Sequence, residues 1–222
     1  MELLEKLAEC IETGKADEQT SYLPEHKGQK GASELTKEAL EMGISPGEIL
    51  SGALIVGMNR IGEKFASGKA FIPNLLISAK AMKAAMVHME PYFETGAAQY
   101  KGTFVLGTVH GDMHDIGKNI VKMVLQGSGW KVIDLGTNAT VEKFVDAVQS
   151  NNAKFVGLSA LLTTTMLNMD KITAELKSRF NDVKVFVGGA PLSQDYCGKI
   201  GADGYFADPH SLCRHLDSLA LA

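Results

Sequence analysis

Cysteine is scarce in this 222-residue chain. The three thiols, Cys10, Cys197 and Cys213, are odd in number and far apart. That spacing argues against a disulfide framework and a zinc knuckle, and it suits a reduced, cytoplasmic compartment. Positive charge is not concentrated either: 22 basic residues face 26 acidic ones, leaving a net charge of −4. Nucleic-acid phosphates need clustered lysine and arginine, so a nucleic-acid partner is not expected. No apolar run approaches the roughly 20 residues of a membrane span, and no membrane association is expected. The acidic start MELLEKLAECIE lacks the apolar core of a signal peptide. What remains is an ordinary globular balance, 45% apolar and 22% charged, in a length that allows one or two domains.

The pattern changes near residue 95. Residues 1–95 read as helices only. Leu3, Leu4, Leu7 and Ile11 form one apolar stripe, and Leu50, Leu54, Gly57, Met58 and Ile61 form a second. The third runs through Leu75, Ala79, Met82, Met86, Met89 and Phe93 in steps of four and three, a bundle core rather than a ligand site. Ser45-Pro46 followed by Glu48 predicts a helix start, as does Pro73. Gly14–Gly31 is polar and rich in breakers, a loop whose role stays open. Glu94–Gln99 reads as a linker. Residues 100–222 alternate: strands are predicted at Thr103–Gly107, Lys131–Asp134, Phe155–Leu158, Val183–Val187 and Gly204–Phe206. Helices are predicted to start near Asp115, Thr140, Met166, Leu192 and Pro209. The fold class is therefore α/β: an N-terminal helical bundle, then a flavodoxin-like, Rossmann-type parallel sheet of five strands with helices on both faces. In the 2-1-3-4-5 order the ligand crevice lies between the first and third strands at their carboxyl ends.

The loop after the first strand carries the chemistry. Gly111-Asp112-Met113-His114-Asp115-Ile116-Gly117 sets a histidine between two aspartates, with glycines that let a bulky ligand approach. A histidine beside a carboxylate suits metal ligation, because the carboxylate orients the ring and raises its basicity. Asp115 reads equally well as the N-cap of the next helix. The loop after the third strand, Ser159 to Thr165, is predicted to meet the His114 loop at the crevice. Ser159 and Thr163 are alternatively only helix caps, and Gly188-Gly189 only a tight turn. His88, His110, His210 and His215 have no partnered spacing and read as surface groups.

Together these motifs resemble the cobalamin-binding module of methionine synthase and of the corrinoid proteins of methyltransferase systems. D-x-H-x-x-G stands as Asp112-x-His114-x-x-Gly117, S-x-L as Ser159-x-Leu161, and the G-G pair as Gly188-Gly189. The helical half resembles the family's cap in Gly62-Glu63-Lys64-Phe65-x-x-Gly68-Lys69-x-Phe71-Ile72-Pro73-x-Leu75. The resemblance runs from about residue 32 to residue 210 and implies two domains, a cap over 1–95 and a cobalamin-binding domain over 100–222. It implies that His114 replaces the nucleotide tail as the lower ligand of cobalt, the one metal contact. Asp112 and Thr165 would continue the proton-sharing chain behind it. Gly111, Met113, Asp115, Gly117 and Leu161 would surround the corrin. Ser159 and Thr163 would hold the buried tail base, and Gly188, Gly189 and Ala207 would line its slot. Phe65, Ile72 and Leu75 would cover the methyl-bearing face.

The implied function is a methyl carrier rather than a stand-alone catalyst, cycling between cob(I)alamin and methylcobalamin. Its implied partners are a substrate-specific methyltransferase and a second methyltransferase, with a reductive activator as a further one. Two other readings are the cobalamin subunit of an adenosylcobalamin mutase and a cobalamin-binding sensor. The Phe65–Leu75 lid leaves little room for an adenosyl group, and residues 1–95 carry no basic recognition helix. The methyl donor is not legible in the chain.

Overall fold

The computed structural model describes residues 2–20 and 27–220. Part of the expected Gly14–Gly31 loop, residues 21–26, lies outside the described residues. The chain divides into two compact units: a helical one reaching to Tyr100, with Gly127–Gly129, and a sheet unit of Lys101–Gln126 and the residues from Trp130 onward.

The helical unit holds α1 (Glu2–Thr13), α2 (Ala32–Glu41), α3 (Pro46–Ile49), α4 (Ile55–Ala66) and α5 (Ile72–Glu94). One π turn, Leu50–Leu54, joins α3 to α4. The predicted start at Pro46 holds: the Ser45 hydroxyl accepts the Glu48 N–H at 3.2 Å. At α5 the cap is Phe71, whose N–H donates to Asn74 Oδ1 at 2.9 Å. The apolar stripes face inward. Leu7, Ile11, Leu54, Met58, Ile61, Leu75, Met82 and Met89 are all buried, each contributing about 1.5–3 kcal/mol of transfer free energy. Past α5, Phe93 stacks on Tyr100 with centroids 4.0 Å apart, which ties together the two ends of the linker.

The sheet unit runs β1 (Thr103–Thr108), α6 (Ile116–Gly127), β2 (Lys131–Asp134), α7 (Val141–Asn151), β3 (Phe155–Ser159), α8 (Thr163–Arg179), β4 (Lys184–Gly188), α9 (Gln194–Lys199), β5 (Gly204–Tyr205) and α10 (Pro209–Ala220). All pairings are parallel, in the order β2-β1-β3-β4-β5. Side chains alternate between faces, as the pleat requires. Val105, Val156, Leu158, Val185 and Val187 join the buried cluster that contains Phe144, Met169, Ile172 and Leu176 of α7 and α8. On the alternate positions Phe104, Phe155 and Phe186 stack across the strands, with Trp130 edge-on to Phe155.

Two expectations need correction. Helix α8 begins at Thr163, not near Met166, because Leu162, rather than a polar residue, is its cap. The surface assignment of the histidines holds only for His110. His210 is buried at 5% exposure. His215 is half-buried against Phe186 and Phe206, and half-buried His88 shares a 2.9 Å hydrogen bond with Ser33. Helix periodicity turns these rings inward, a placement that a search for paired ligands does not detect.

Candidate cofactor-binding site

Because β1 and β3 are neighbours, Thr108 pairs with Ser159, and the two motif loops leave the sheet side by side. The chain bends at Gly111, where φ is +83°, a conformation that glycine adopts without a side-chain clash. That bend turns Asp112 back beneath the loop. Its carboxylate is completely buried, and burying a charge costs several kcal/mol unless donors surround it. Here they do. Oδ1 accepts the His114 N–H at 3.0 Å and the His114 ring at 2.7 Å. Oδ2 accepts the Thr165 hydroxyl at 2.6 Å and the N–H groups of Leu161 at 2.8 Å and Leu162 at 3.4 Å. Burial alone would raise the carboxyl's pKa. The Thr165 hydroxyl, the His114 and Leu161 amides and the imidazole outweigh it and hold Asp112 well below the usual carboxylate range.

An ionised carboxylate only accepts, so the proton in the 2.7 Å contact sits on His114 Nδ1. In the neutral ring Nε2 therefore keeps its lone pair, and it has no hydrogen-bond partner among the described residues. The histidine side chain is 51% exposed above a carboxylate at 0%. The ring is thus fixed at one nitrogen and open at the other. A further hold comes from the buried Thr108, whose hydroxyl donates to the His114 carbonyl at 2.9 Å.

The other expected site residues divide clearly. Met113, next to His114 in sequence, and Leu161, whose N–H bonds the Asp112 carboxylate, are 69% and 43% exposed and offer apolar surface. Asp115 precedes α6, and its carboxylate accepts the Asn119 side-chain amide at 2.9 Å. The cap of α8 is Leu162, with no side-chain cap hydrogen bond, so neither Ser159 nor Thr163 is its N-cap. At Gly117 an added Cβ would meet nothing within 4 Å, and at Gly188 nothing nearer than the Phe206 carbonyl at 3.7 Å. Gly189 is different: its φ is +143°, and a Cβ there would stand 1.8 Å from the Ala160 carbonyl oxygen. Its glycine is demanded by the fold. Ala207 is exposed just past β5.

In the helical unit Ile72 is 46% exposed and Phe65 half-buried. Leu75 corrects an expectation: at 1% exposure it opens the buried stripe of α5 and presents no surface to a ligand. The exposed apolar positions nearby are Phe71 and Leu76. Sequence reasoning also missed Thr108, Asn138 and Asn168. The Asn138 side chain accepts the Gly111 N–H at 2.8 Å, and the Asn168 amide donates to the His110 carbonyl at 2.8 Å. The one signal available was Asn138 itself, an asparagine two residues past a glycine where the chain turns.

Among the described residues no group of three histidine, cysteine or carboxylate side chains is placed to hold a metal ion. The site offers instead a single oriented imidazole, apolar surface, the hydroxyls of Ser159 and Thr163, and glycines that the packing does not require. Those features fit a metal brought within a large planar cofactor. Fold and site together define a cobalamin-binding α/β domain that follows a helical domain.

The comparisons agree. A family model described as a B12 binding domain matches residues 102–212, and a second B12 binding domain model matches residues 29–90. The chain is 42% identical over 178 residues to trimethylamine corrinoid protein 2 of Methanosarcina mazei, covering 78% of this chain and 82% of that one. It is 37% identical over 207 residues to the dimethylamine corrinoid protein of Methanosarcina barkeri, covering 92% and 91%. The methanol:cobalamin methyltransferase complex MtaBC of M. barkeri superposes with a TM-score of 0.83 at 28% identity, over 100% of this chain and 80% of that one. The chain belongs to the B12-binding family of corrinoid proteins.

Proposed function

We propose that this protein is a corrinoid methyl carrier in which His114 would ligate the cobalt of bound cobalamin. The observation that carries this reading is the imidazole tied at Nδ1 to a buried, ionised Asp112 and open at Nε2. Cobalamin, when bound, would supply the cobalt centre that accepts and gives up a methyl group. The chain's own residues set the terms. Asp112 keeps the ring in the tautomer whose Nε2 can ligate. The ionised Asp112 carboxylate beside the ring would stabilise positive charge that develops on it. Thr165 holds the far oxygen of that carboxylate so that it stays in line. Ser159 and Thr163 would hold the cofactor's tail base through their hydroxyls, beside Gly188 and Ala207. We assign to Phe65 and Ile72 a shielding role for the reduced cofactor.

The partners are a donor-specific methyltransferase and a second methyltransferase that removes the methyl group, with a reductive activator serving the oxidised form. The relatives' names make methylated amines the donor class to test first. We assign the protein to the cytoplasm: Cys10, Cys197 and Cys213 form no disulfide, and no helix among the described residues is long and apolar enough to cross a membrane. The test is reconstitution of the full chain with cobalamin, followed by gel filtration and absorption spectroscopy. Retained cobalamin with a base-off spectrum, and methyl uptake when a partner methyltransferase and a methylated amine are added, is the expected result. A chain that retains no cobalamin contradicts the reading.

A further inference from the structure

Asn138 lies in the loop between β2 and α7, 24 residues from His114 in sequence, yet it grips the histidine's own loop at two points. Its side-chain oxygen accepts the Gly111 N–H at 2.8 Å, and its backbone N–H donates to the Asp112 carbonyl at 3.0 Å. The two bonds bracket the Gly111–Asp112 segment, whose backbone angles decide where the Asp112 carboxylate goes. Asn138 makes both bonds from φ = +52°, a left-handed conformation. Few residues with a side chain enter that region readily, and asparagine is foremost among them. Glycine would adopt the angle but lacks the acceptor. Most other residues would bring a side chain but resist the angle. On the other side of the loop, Asn168 of α8 holds the His110 carbonyl at 2.8 Å.

We infer that Asn138 is a positioning residue for the axial histidine: it sets the Gly111–Asp112 backbone, Asp112 sets the imidazole, and the imidazole meets the metal. The inference rests on the cobalamin reading and deepens it, since it names a residue remote in sequence that controls how much of the cobalt is histidine-bound. Removing a group that orients a ligand in this way weakens metal binding by about 10-fold or more.

Asn138→Gly separates the two bonds. It keeps the left-handed angle and the backbone N–H to Asp112 and deletes only the acceptor for Gly111. Asn138→Asp restores an acceptor of the same length. Two readouts apply. In the apoprotein, hydrogen exchange at the Gly111 amide should quicken by about fivefold in the glycine variant and return toward wild type in the aspartate variant. In the protein loaded with cob(II)alamin, the fraction of cobalt showing histidine nitrogen coupling by EPR should fall in the first and recover in the second. Unchanged coupling in Asn138→Gly overturns the inference, even if Gly111 exchange rises, because Asn138 would then hold a turn and nothing more. A wild-type chain that binds no cobalamin overturns the functional reading and this inference with it, while an altered Gly111 exchange still shows the clamp, so the two failures are distinguishable.

Discussion

Thr165 donates its hydroxyl to Asp112 Oδ2 at 2.6 Å, across 53 residues of sequence, while His114 occupies the other oxygen of the same carboxylate. The carboxylate is therefore a joint between two loops, one after β1 and one opening α8. Thr165→Val removes the donor and keeps the shape. It should destabilise the apoprotein by about 1–3 kcal/mol, and Thr165→Ser should restore most of that. Equal urea midpoints for the valine variant and wild type would remove Thr165 from the joint.

Asp112 also makes a pH prediction. Its carboxyl lies below the ordinary 3.8 in the folded chain, so the native state favours the ionised form. A depressed carboxyl contributes stability that is full above about pH 4 and is lost as pH falls through the lower, folded value. Asp112→Asn, which does not titrate, should melt well below wild type at pH 7, and the gap should narrow between pH 4 and pH 2. Asp134 and Asp203 are depressed as well, but both are present in each protein and cancel in the difference. A gap that stays constant with pH would contradict the assignment.

The glycine pair separates fold from ligand. Gly189→Ala places a methyl 1.8 Å from the Ala160 oxygen at φ = +143° and should cost more than about 3 kcal/mol or prevent folding. Gly188→Ala meets nothing closer than 3.7 Å. Its apoprotein should melt within a few degrees of wild type while cobalamin retention drops. Normal retention in Gly188→Ala would take that residue out of the slot.

Beside the site, Lys118 reaches Asp134 at 2.7 Å with its side chain 2% exposed, whereas Lys122 makes its 3.0 Å contact at 34%. Breaking a buried pair leaves an uncompensated charge, and Lys118→Met should cost roughly 2–4 kcal/mol. Lys122→Ala should cost less than about 1 kcal/mol. Denaturation with urea ranks the two, and the reverse order would show that burial does not govern this network.

Much of this was legible from local pattern. The change from helical to alternating periodicity near residue 95 placed the sheet, and the strand order brought the His114 and Ser159 loops together as expected. The strand limits moved by a residue or so because parallel strands end where pairing ends: Thr108 and Ser159 extend β1 and β3 by pairing with each other. The start of α8 was misplaced because Thr163, Thr164 and Thr165 are poor helix formers by propensity. Tertiary contact overrides that, since the Asp112 carboxylate anchors Thr165 and the Leu161 amide. Leu75 falls within the cap motif, but its own apolar stripe assigns it to the core, where it is buried. Asn168 is invisible in the sequence, and Asn138 shows only as a turn residue, for another reason. Each bonds a backbone atom of a distant loop, and a main-chain partner leaves no trace in residue identity.

The central claim is that His114 Nε2, and not the cofactor's own base, is the axial nitrogen. Electron paramagnetic resonance of the cob(II)alamin-loaded full chain tests it, comparing protein grown with ordinary histidine and with ¹⁵N-histidine. The superhyperfine lines should change from triplets to doublets in the labelled protein, and Asn138-intact His114→Ala should lose nitrogen coupling altogether. Triplets that persist unchanged on labelling would mean that the benzimidazole still holds the metal, and the account would be wrong.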